Sequence, residues 1–254
     1  MVTKKILTIL AVVLFVVSGL YAVPVDKIFT SDGIINEGDR YHNVSIYDTP
    51  PHRTTVSMFG GWVSLIQSYD SSIFNMFGGL TEALAYNQST INVGGGTIYT
   101  LLSYDFSNVN VFGGQVNGIT AYDTSTINVL DNANLFSLFA HDSGVINMSG
   151  GITRRIGSAG FSTVNLFGGL VTDDLAAGDS SVINVYGYNL AKFPTGGKLG
   201  NGFVLGEWEN GVTFNFYFYG SETYSHVMLY EIPEPATVLL IVIGSLYLRR
   251  RRIF

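Results

Sequence analysis

Residues 105–114, DFSNVNVFGG, hold the pattern that decides the fold, because variants of it recur down the middle of the chain. The asparagine at its sixth position returns at intervals of 17 to 19 residues, as Asn75, Asn92, Asn110, Asn128, Asn147, Asn165 and Asn184. A self-similar unit of this length is one supersecondary element that cannot bury its own apolar face and must stack on its neighbours. The period therefore predicts a solenoid.

The residues around each asparagine indicate a short β-strand between two turns. Asp or Asn stands five positions before it in all repeats except the one with Gly160, and a pair of glycines follows it in five repeats. These residues favour turns. Between them, triplets such as Ile127-Asn128-Val129 alternate apolar, polar and apolar side chains, which places the flanking pair on one face of a strand.

A second strand follows each glycine pair, and its small alternating residues suit the interior of a narrow coil. The two strands together predict an all-β fold, a right-handed parallel β-helix with about 18 residues per coil, capped at both ends. The predicted repeats occupy residues 57–188, between an N-terminal cap at 23–56 and a C-terminal β cap and spacer at 189–232. Within the latter, Asn210-Gly211 between two apolar runs predicts a β-hairpin.

The composition indicates an exported acidic β-protein. The chain has no cysteine, which excludes disulfides, thiolate zinc sites and cysteine-based catalysis. Residues 23–232 hold seven basic against eighteen acidic side chains, a net charge of about −11, so nucleic acid is not expected as a partner. The four histidines are scattered, so neither a metal site nor a cofactor is expected.

Both ends of the chain have the pattern of targeting segments. Residues 1–22 combine Lys4-Lys5, an apolar run and a small-residue end at Ala22, which predicts a secretory signal peptide, with an uncleaved anchor helix as the alternative. At the other end, Pro233-Glu234-Pro235 precedes an apolar run at 236–248 and four arginines. That run predicts a short transmembrane helix with its end held in the cytoplasm.

The last 22 residues resemble a PEP-CTERM sorting signal, which is found on exported proteins of Gram-negative bacteria. The resemblance rests on Pro233, Glu234 and Pro235, the apolar helix, and Arg249, Arg250, Arg251 and Arg252. It implies recognition by an exosortase at the membrane, removal of the tail, and delivery to the cell envelope or extracellular matrix, often together with exopolysaccharide. A plain C-terminal membrane anchor is the alternative.

One column of aromatic residues has two interpretations. It consists of Tyr69, Tyr86, Tyr104, Tyr122 and His141, each directly before the turn Asp or Asn. On adjacent coils these rings are expected to stack on one another. The second interpretation is a glycan-binding face, with sugars on the rings and sugar hydroxyls on acceptors such as Asp105 and Asp123.

The other repeated polar columns are interpreted first as structural and second as functional. The aspartates are expected to bond turn backbone rather than to form a catalytic pair, because a catalytic acid and base need unlike environments. The asparagines are expected to form a hydrogen-bonded ladder rather than a ligand site. Arg154 and Arg155 are expected to pair with Asp173 and Asp174 on the next coil, with a sugar-acid site as the alternative.

These features together predict a non-enzymatic, structural or adhesive protein of the cell surface. The alternative is a polysaccharide-binding or polysaccharide-degrading β-helix enzyme. An enzyme would show a cleft lined by unlike ionisable groups, whereas a scaffold would show uniform ladders along its length.

Overall fold

The triplets around the repeated asparagines form four-residue strands, and longer strands follow the glycine turns. The computed structural model describes residues 24–195, 201–220 and 222–233. Short strands on one side of each coil and long strands on the other form two faces of a β-solenoid of about nine turns. The fold class predicted from the period is confirmed.

The short-strand face contains one strand from each coil. Its members are β2 (Gly33–Ile35), β4 (Thr55–Met58), β6 (Ile73–Met76), β8 (Thr90–Val93), β10 (Asn108–Val111), β12 (Thr126–Val129), β14 (Val145–Met148), β16 (Thr163–Leu166), the first part of β18 (Val182–Pro194) and β21 (Val227–Glu231). All neighbours in this face pair in parallel, and the asparagine of each repeat lies directly opposite that of the next.

The long-strand face contains the second strand of each coil. Its members are β1 (Val25–Phe29), β3 (Arg40–Ile46), β5 (Trp62–Ser68), β7 (Leu80–Ala85), β9 (Thr97–Ser103), β11 (Gln115–Ala121), β13 (Asn134–Ala140), β15 (Ile152–Ser158) and β17 (Leu170–Ala177). These strands also pair in parallel, with shifts of register in several of them. Side chains that alternate along both faces point into one continuous apolar core.

The glycine corner requires glycine at both positions of the pair, for two different reasons. The second glycine has a positive φ, between +76° at Gly151 and +89° at Gly79, where other residues are strained. The first glycine lies against the coil below, and a Cβ at Gly78 would stand 2.5 Å from the Phe59 carbonyl oxygen. The two glycines therefore allow the coils to stack closely at this corner.

The opposite corner is built from polar residues. Asp105 and its equivalents adopt φ values between +54° and +59°, a region that Asp and Asn tolerate better than most residues. Inside the same corner, buried serines replace apolar side chains, and their hydroxyls bond each other or backbone carbonyls. Ser103 Oγ lies 2.7 Å from Ser107 Oγ, and Ser125 Oγ donates to the Ser103 carbonyl at 2.9 Å. The corner is polar inside without leaving these hydroxyls unpaired.

Parallel stacking begins at Val25, inside the segment expected to act as an N-terminal cap. Strand β1 pairs with β3, and β2 pairs with β4, in the same sense as the later coils. These coils lack the asparagine, since Ser57 stands opposite Asn75 and Ile34 stands opposite Ser57. Their core residues Val44, Ile46 and Met58 are nevertheless fully buried, so the apolar alternation is sufficient to form a coil.

The C-terminal end is closed by a different arrangement. Strands β19 (Gly202–Glu207) and β20 (Thr213–Phe218) form an antiparallel hairpin around Asn210-Gly211, and β20 then pairs with β17. The aromatic residues Phe214, Phe216 and Phe218 fill its inner side. A single helical turn, α1 (Thr223–His226), leads into β21, which adds a last parallel strand to the short-strand face.

No helix in the described ranges is long and apolar enough to cross a membrane. The transmembrane segment predicted at 236–248 lies outside the described residues, as do the signal peptide at 1–22 and most of the sorting motif.

Candidate functional site

The predicted aromatic column forms a continuous stack along one corner of the solenoid. Ring centroids of successive members lie 4.7 to 5.4 Å apart, with interplanar angles of 3° to 13°. The order is Tyr47, Tyr69, Tyr86, Tyr104, Tyr122 and His141. The first of the two interpretations, mutual stacking, is therefore confirmed, and the stack has one more ring than the sequence indicated.

The additional ring is Tyr47, which sequence reasoning missed. It stands 22 residues before Tyr69 rather than 17 to 19, because residues 48–54 bulge out of the coil as a loop. The signal was the Tyr-Asp pair at Tyr47-Asp48, which repeats Tyr69-Asp70. At the other end the stack stops after His141, because the equivalent residues on the next two coils are Ala159 and Gly178.

Stacking limits what this column can offer to a sugar. The face of each inner ring lies against the next ring, so a ligand would meet ring edges and phenol hydroxyls instead of open ring faces. Burial raises the pKa of Tyr104, and the neighbouring Tyr122, Tyr86 and Asp123 raise it further. A glycan site with sugars lying flat on these rings stays a prediction that this geometry does not favour.

The aspartates beside the stack hold adjacent coils together. Asp105 Oδ2 accepts the backbone N–H of Asn87 at 2.9 Å, and Asp123 Oδ2 accepts that of Asp105 at 3.1 Å. The expected bond to turn backbone is therefore present, but it reaches the turn of the preceding coil rather than its own. One oxygen of each of these two carboxylates is committed to this bond.

The asparagines form the ladder that their spacing predicted. Each Nδ2 donates to the Oδ1 of the preceding asparagine at 2.8 to 3.0 Å, from Asn92 onto Asn75 through to Asn184 onto Asn165. The last acceptor, Asn184 Oδ1, is buried without a partner in the described part of the chain.

The charged pairs on adjacent long strands are also as predicted. Arg154 Nη2 lies 2.7 Å from Asp173 Oδ2, and Arg155 Nε lies 3.0 Å from Asp174 Oδ1. The Arg154 guanidinium also covers the ring of Phe136, 4.7 Å from its centroid. Because the arginines are about half exposed, these pairs contribute about 1 kcal/mol or less each.

A cleft at the N-terminal end brings together unlike ionisable groups, which sequence reasoning did not anticipate. It encloses about 590 Å³ beside the loop of residues 48–54. Its lining residues are Thr30, Ser31, Asp32, Thr49, His52, Arg53 and Thr54. Asp32 Oδ1 accepts the Thr55 N–H at 2.7 Å, and Arg53 donates to the Thr90 hydroxyl at 3.1 Å and to the Ser71 carbonyl. Asp32 and Arg53, two of the three ionisable groups in the cleft, therefore form hydrogen bonds that hold the loop in place.

The outer side of the long-strand face has aromatic residues that do not belong to any of the predicted columns. Tyr99 and Phe136 are about half exposed there, and Trp62 stands at the start of β5. Trp62, Tyr99 and Phe136 follow each other at intervals of 37 residues, a signal visible in the sequence as every second coil. The aromatic residue is absent from every other coil, so it does not form a column of the 18-residue repeat.

Of the sorting motif, only Pro233 belongs to the described residues, where it is exposed two residues after β21. Glu234, Pro235 and Arg249 to Arg252 lie outside them. In the described ranges no group of three His, Asp or Glu side chains is arranged to hold a metal ion. No family model, curated protein or solved structure matches the chain.

Proposed function

We propose that this protein is a structural or adhesive scaffold of the cell envelope or extracellular matrix, and that it acts through its long repetitive surface rather than through catalysis. One observation carries the proposal: the asparagine ladder links seven consecutive repeats by equivalent bonds of 2.8 to 3.0 Å. Equivalent environments on every coil suit repeated weak contacts with an extended partner. Such equivalent environments do not give an acid and a base the different pKa values that a catalytic pair requires.

Export and sorting belong to the same proposal. The tail resembles an exosortase substrate, and the exposure of Pro233 two residues after β21 supports the proposal. Cleavage there would release the folded solenoid, and exopolysaccharide is the proposed partner outside the cell.

The test is fractionation of the producing cells, using the full chain and a variant with Pro233→Ala, Glu234→Ala and Pro235→Ala. We expect the unaltered chain in a shortened form at the surface or in the medium, and the variant at full length in the membrane fraction. Glu209→Ala, at an exposed hairpin turn, is the control and should behave as the unaltered chain. Equal distribution of chain and variant would reject sorting through this motif.

The N-terminal cleft favours one alternative, a polysaccharide-degrading enzyme, because Asp32, His52 and Arg53 meet there. That alternative predicts new reducing ends when the chain is incubated with polysaccharide, and their loss in His52→Ala. The scaffold proposal predicts no difference between the chain and this variant.

A further inference from the structure

The three aromatic residues on the outer side of the long-strand face are spaced regularly along the solenoid axis. Tyr99 lies opposite Asn117, and Asn117 lies opposite Phe136, so two strand spacings separate the two aromatic residues. Parallel strands lie 4.7–4.9 Å apart, which places the rings about 9.6 Å from each other along the axis. Trp62 precedes Tyr99 by another two coils and stands about two residues to one side.

These rings differ from the tyrosine stack in what they expose. Within the described residues none of the three stacks on another aromatic ring, whereas every inner tyrosine of the stack has a ring neighbour on each side. Tyr99 and Phe136 are 50% and 53% exposed. One face of Phe136 is covered by Arg154 of the next coil, so the outer edge and the opposite face of that ring remain for contact. Ring surface that no other ring covers is available for packing against the C–H groups of a pyranose.

Polar side chains occupy the intervening coils. Glu82, on the coil between those of Trp62 and Tyr99, lies opposite Leu65 and lines the same groove as both aromatic residues. Its carboxylate is exposed and forms no ion pair or hydrogen bond with another described residue. Asn117 lies between Tyr99 and Phe136, with its Oδ1 accepting from Gln115 Nε2 at 3.2 Å. A shallow groove of about 180 Å³ connects Trp62, Leu80, Glu82 and Tyr99. The row thus alternates apolar ring and hydrogen-bonding group.

We propose that this row is a binding site for a neutral β-1,4-linked polysaccharide lying along the solenoid axis. In such a chain every second sugar presents the same face, and the length of two sugars is close to two strand spacings. Alternate sugars would pack on Tyr99 and Phe136, with Trp62 contacting the chain from the side, and the hydroxyls of the intervening sugars would bond Glu82 and Asn117. The unpaired Glu82 and the acidic net charge disfavour anionic glycans.

The inference rests on the proposed surface scaffold and names the glycan class and the residues that scaffold would use. Binding is tested by sedimentation of the full chain with microcrystalline cellulose, with granular starch as an α-linked comparison. We expect binding to cellulose and little to starch. Tyr99→Ala with Phe136→Ala should weaken cellulose binding by about tenfold or more, because both ring contacts of the row are lost.

The matched control removes two other exposed rings, Phe106→Ala with Phe161→Ala, which are 72% and 75% exposed at the aspartate corner. This control should bind cellulose as the unaltered chain does. Equal losses in both double variants would identify non-specific adsorption and overturn the inference. Equal binding to starch, or no binding to cellulose by the unaltered chain, would also overturn it.

Tryptophan fluorescence gives a second measurement that does not depend on removing a ring. Trp208 is buried in the C-terminal cap, so Trp62 is the tryptophan that a soluble cello-oligosaccharide can reach. We expect a change in emission on titration, and no change in Trp62→Phe; an unchanged emission in the unaltered chain would count against the site. Surface localisation without glycan binding would reject this inference and leave the proposed scaffold intact.

Discussion

At the scale of single residues, the polar side chains of one coil mostly stabilise the coil before it. Asp123 accepts the backbone N–H of Asp105, and Asn128 donates to Asn110, so each bond crosses a boundary between coils. The direction is the same throughout the asparagine ladder, from the Nδ2 of one coil to the Oδ1 of the preceding coil. Such a ladder necessarily leaves one acceptor unused at its C-terminal end.

That acceptor is Asn184 Oδ1, and the residue opposite it on β21 is Met228. We expect Met228→Asn to extend the ladder by one bond, because its Nδ2 would stand where each earlier asparagine places its own. The gain should be about 1 kcal/mol in the free energy of unfolding, measured by urea denaturation.

The matched control is Met228→Asp, which has the same shape as Asn but no donor and sets a carboxylate oxygen against the amide oxygen of Asn184. It should be less stable than Met228→Asn by about 1–3 kcal/mol. Equal stability of the two variants would contradict the proposed direction of the ladder.

At the scale of elements, the two corners and two faces differ in how readily the sequence predicts them. The asparagine ladder was predictable because the short strands have four residues and constant register, so equal spacing means direct opposition. Tyr47 was missed because a loop changes its spacing, and the row of Tyr99 and Phe136 was missed because it occurs only on alternate coils. Variable spacing breaks the sequence period without breaking the stacking of the coils.

The tyrosine stack leads to a prediction about alkaline pH. Burial raises the pKa of Tyr69 and of Tyr104, and neighbouring tyrosine hydroxyls raise each further, above the ordinary value of 10.0. The fold therefore favours the neutral phenols. This contribution to stability is complete below about pH 10 and is lost as the pH rises through the raised pKa values.

We expect the urea midpoint of the unaltered chain to fall between pH 9 and pH 11, and to fall less in Tyr69→Phe with Tyr104→Phe, which keeps the rings and removes the ionisable groups. Tyr219→Phe, at a residue 63% exposed outside the stack, should lose stability as the unaltered chain does. The same pH dependence in all three proteins would show that these hydroxyls do not control it.

At the scale of the whole molecule, the chain is a linear array in which the strands of each coil pair with those of the adjacent coils. The number of coils was harder to predict than their form, because the first coils at Val25–Ile46 have no repeated asparagine. Apolar alternation at Val44, Ile46 and Met58 buries their inner side all the same. The repeated asparagines thus identify only the coils that share the hydrogen-bonded ladder. The buried apolar residues identify all the coils, including the first ones.

A linear array predicts that a core defect acts according to its position. Ile35 lies in the first coil and Ile127 in the middle, and both are fully buried in short strands. Replacing either by alanine removes contacts worth about 2–5 kcal/mol. In the end coil this loss is confined to β1–β4, because those strands can separate while the remaining coils stay stacked. In the middle it weakens two neighbouring interfaces that join the halves of the rod.

We therefore expect Ile35→Ala to accelerate amide hydrogen exchange in β1–β4 alone, and Ile127→Ala to accelerate it from β8 to β16 and to lower the global unfolding midpoint. If Ile35→Ala accelerated exchange as far as β16, the solenoid would unfold as a single cooperative unit and the description as a nearest-neighbour array would fail.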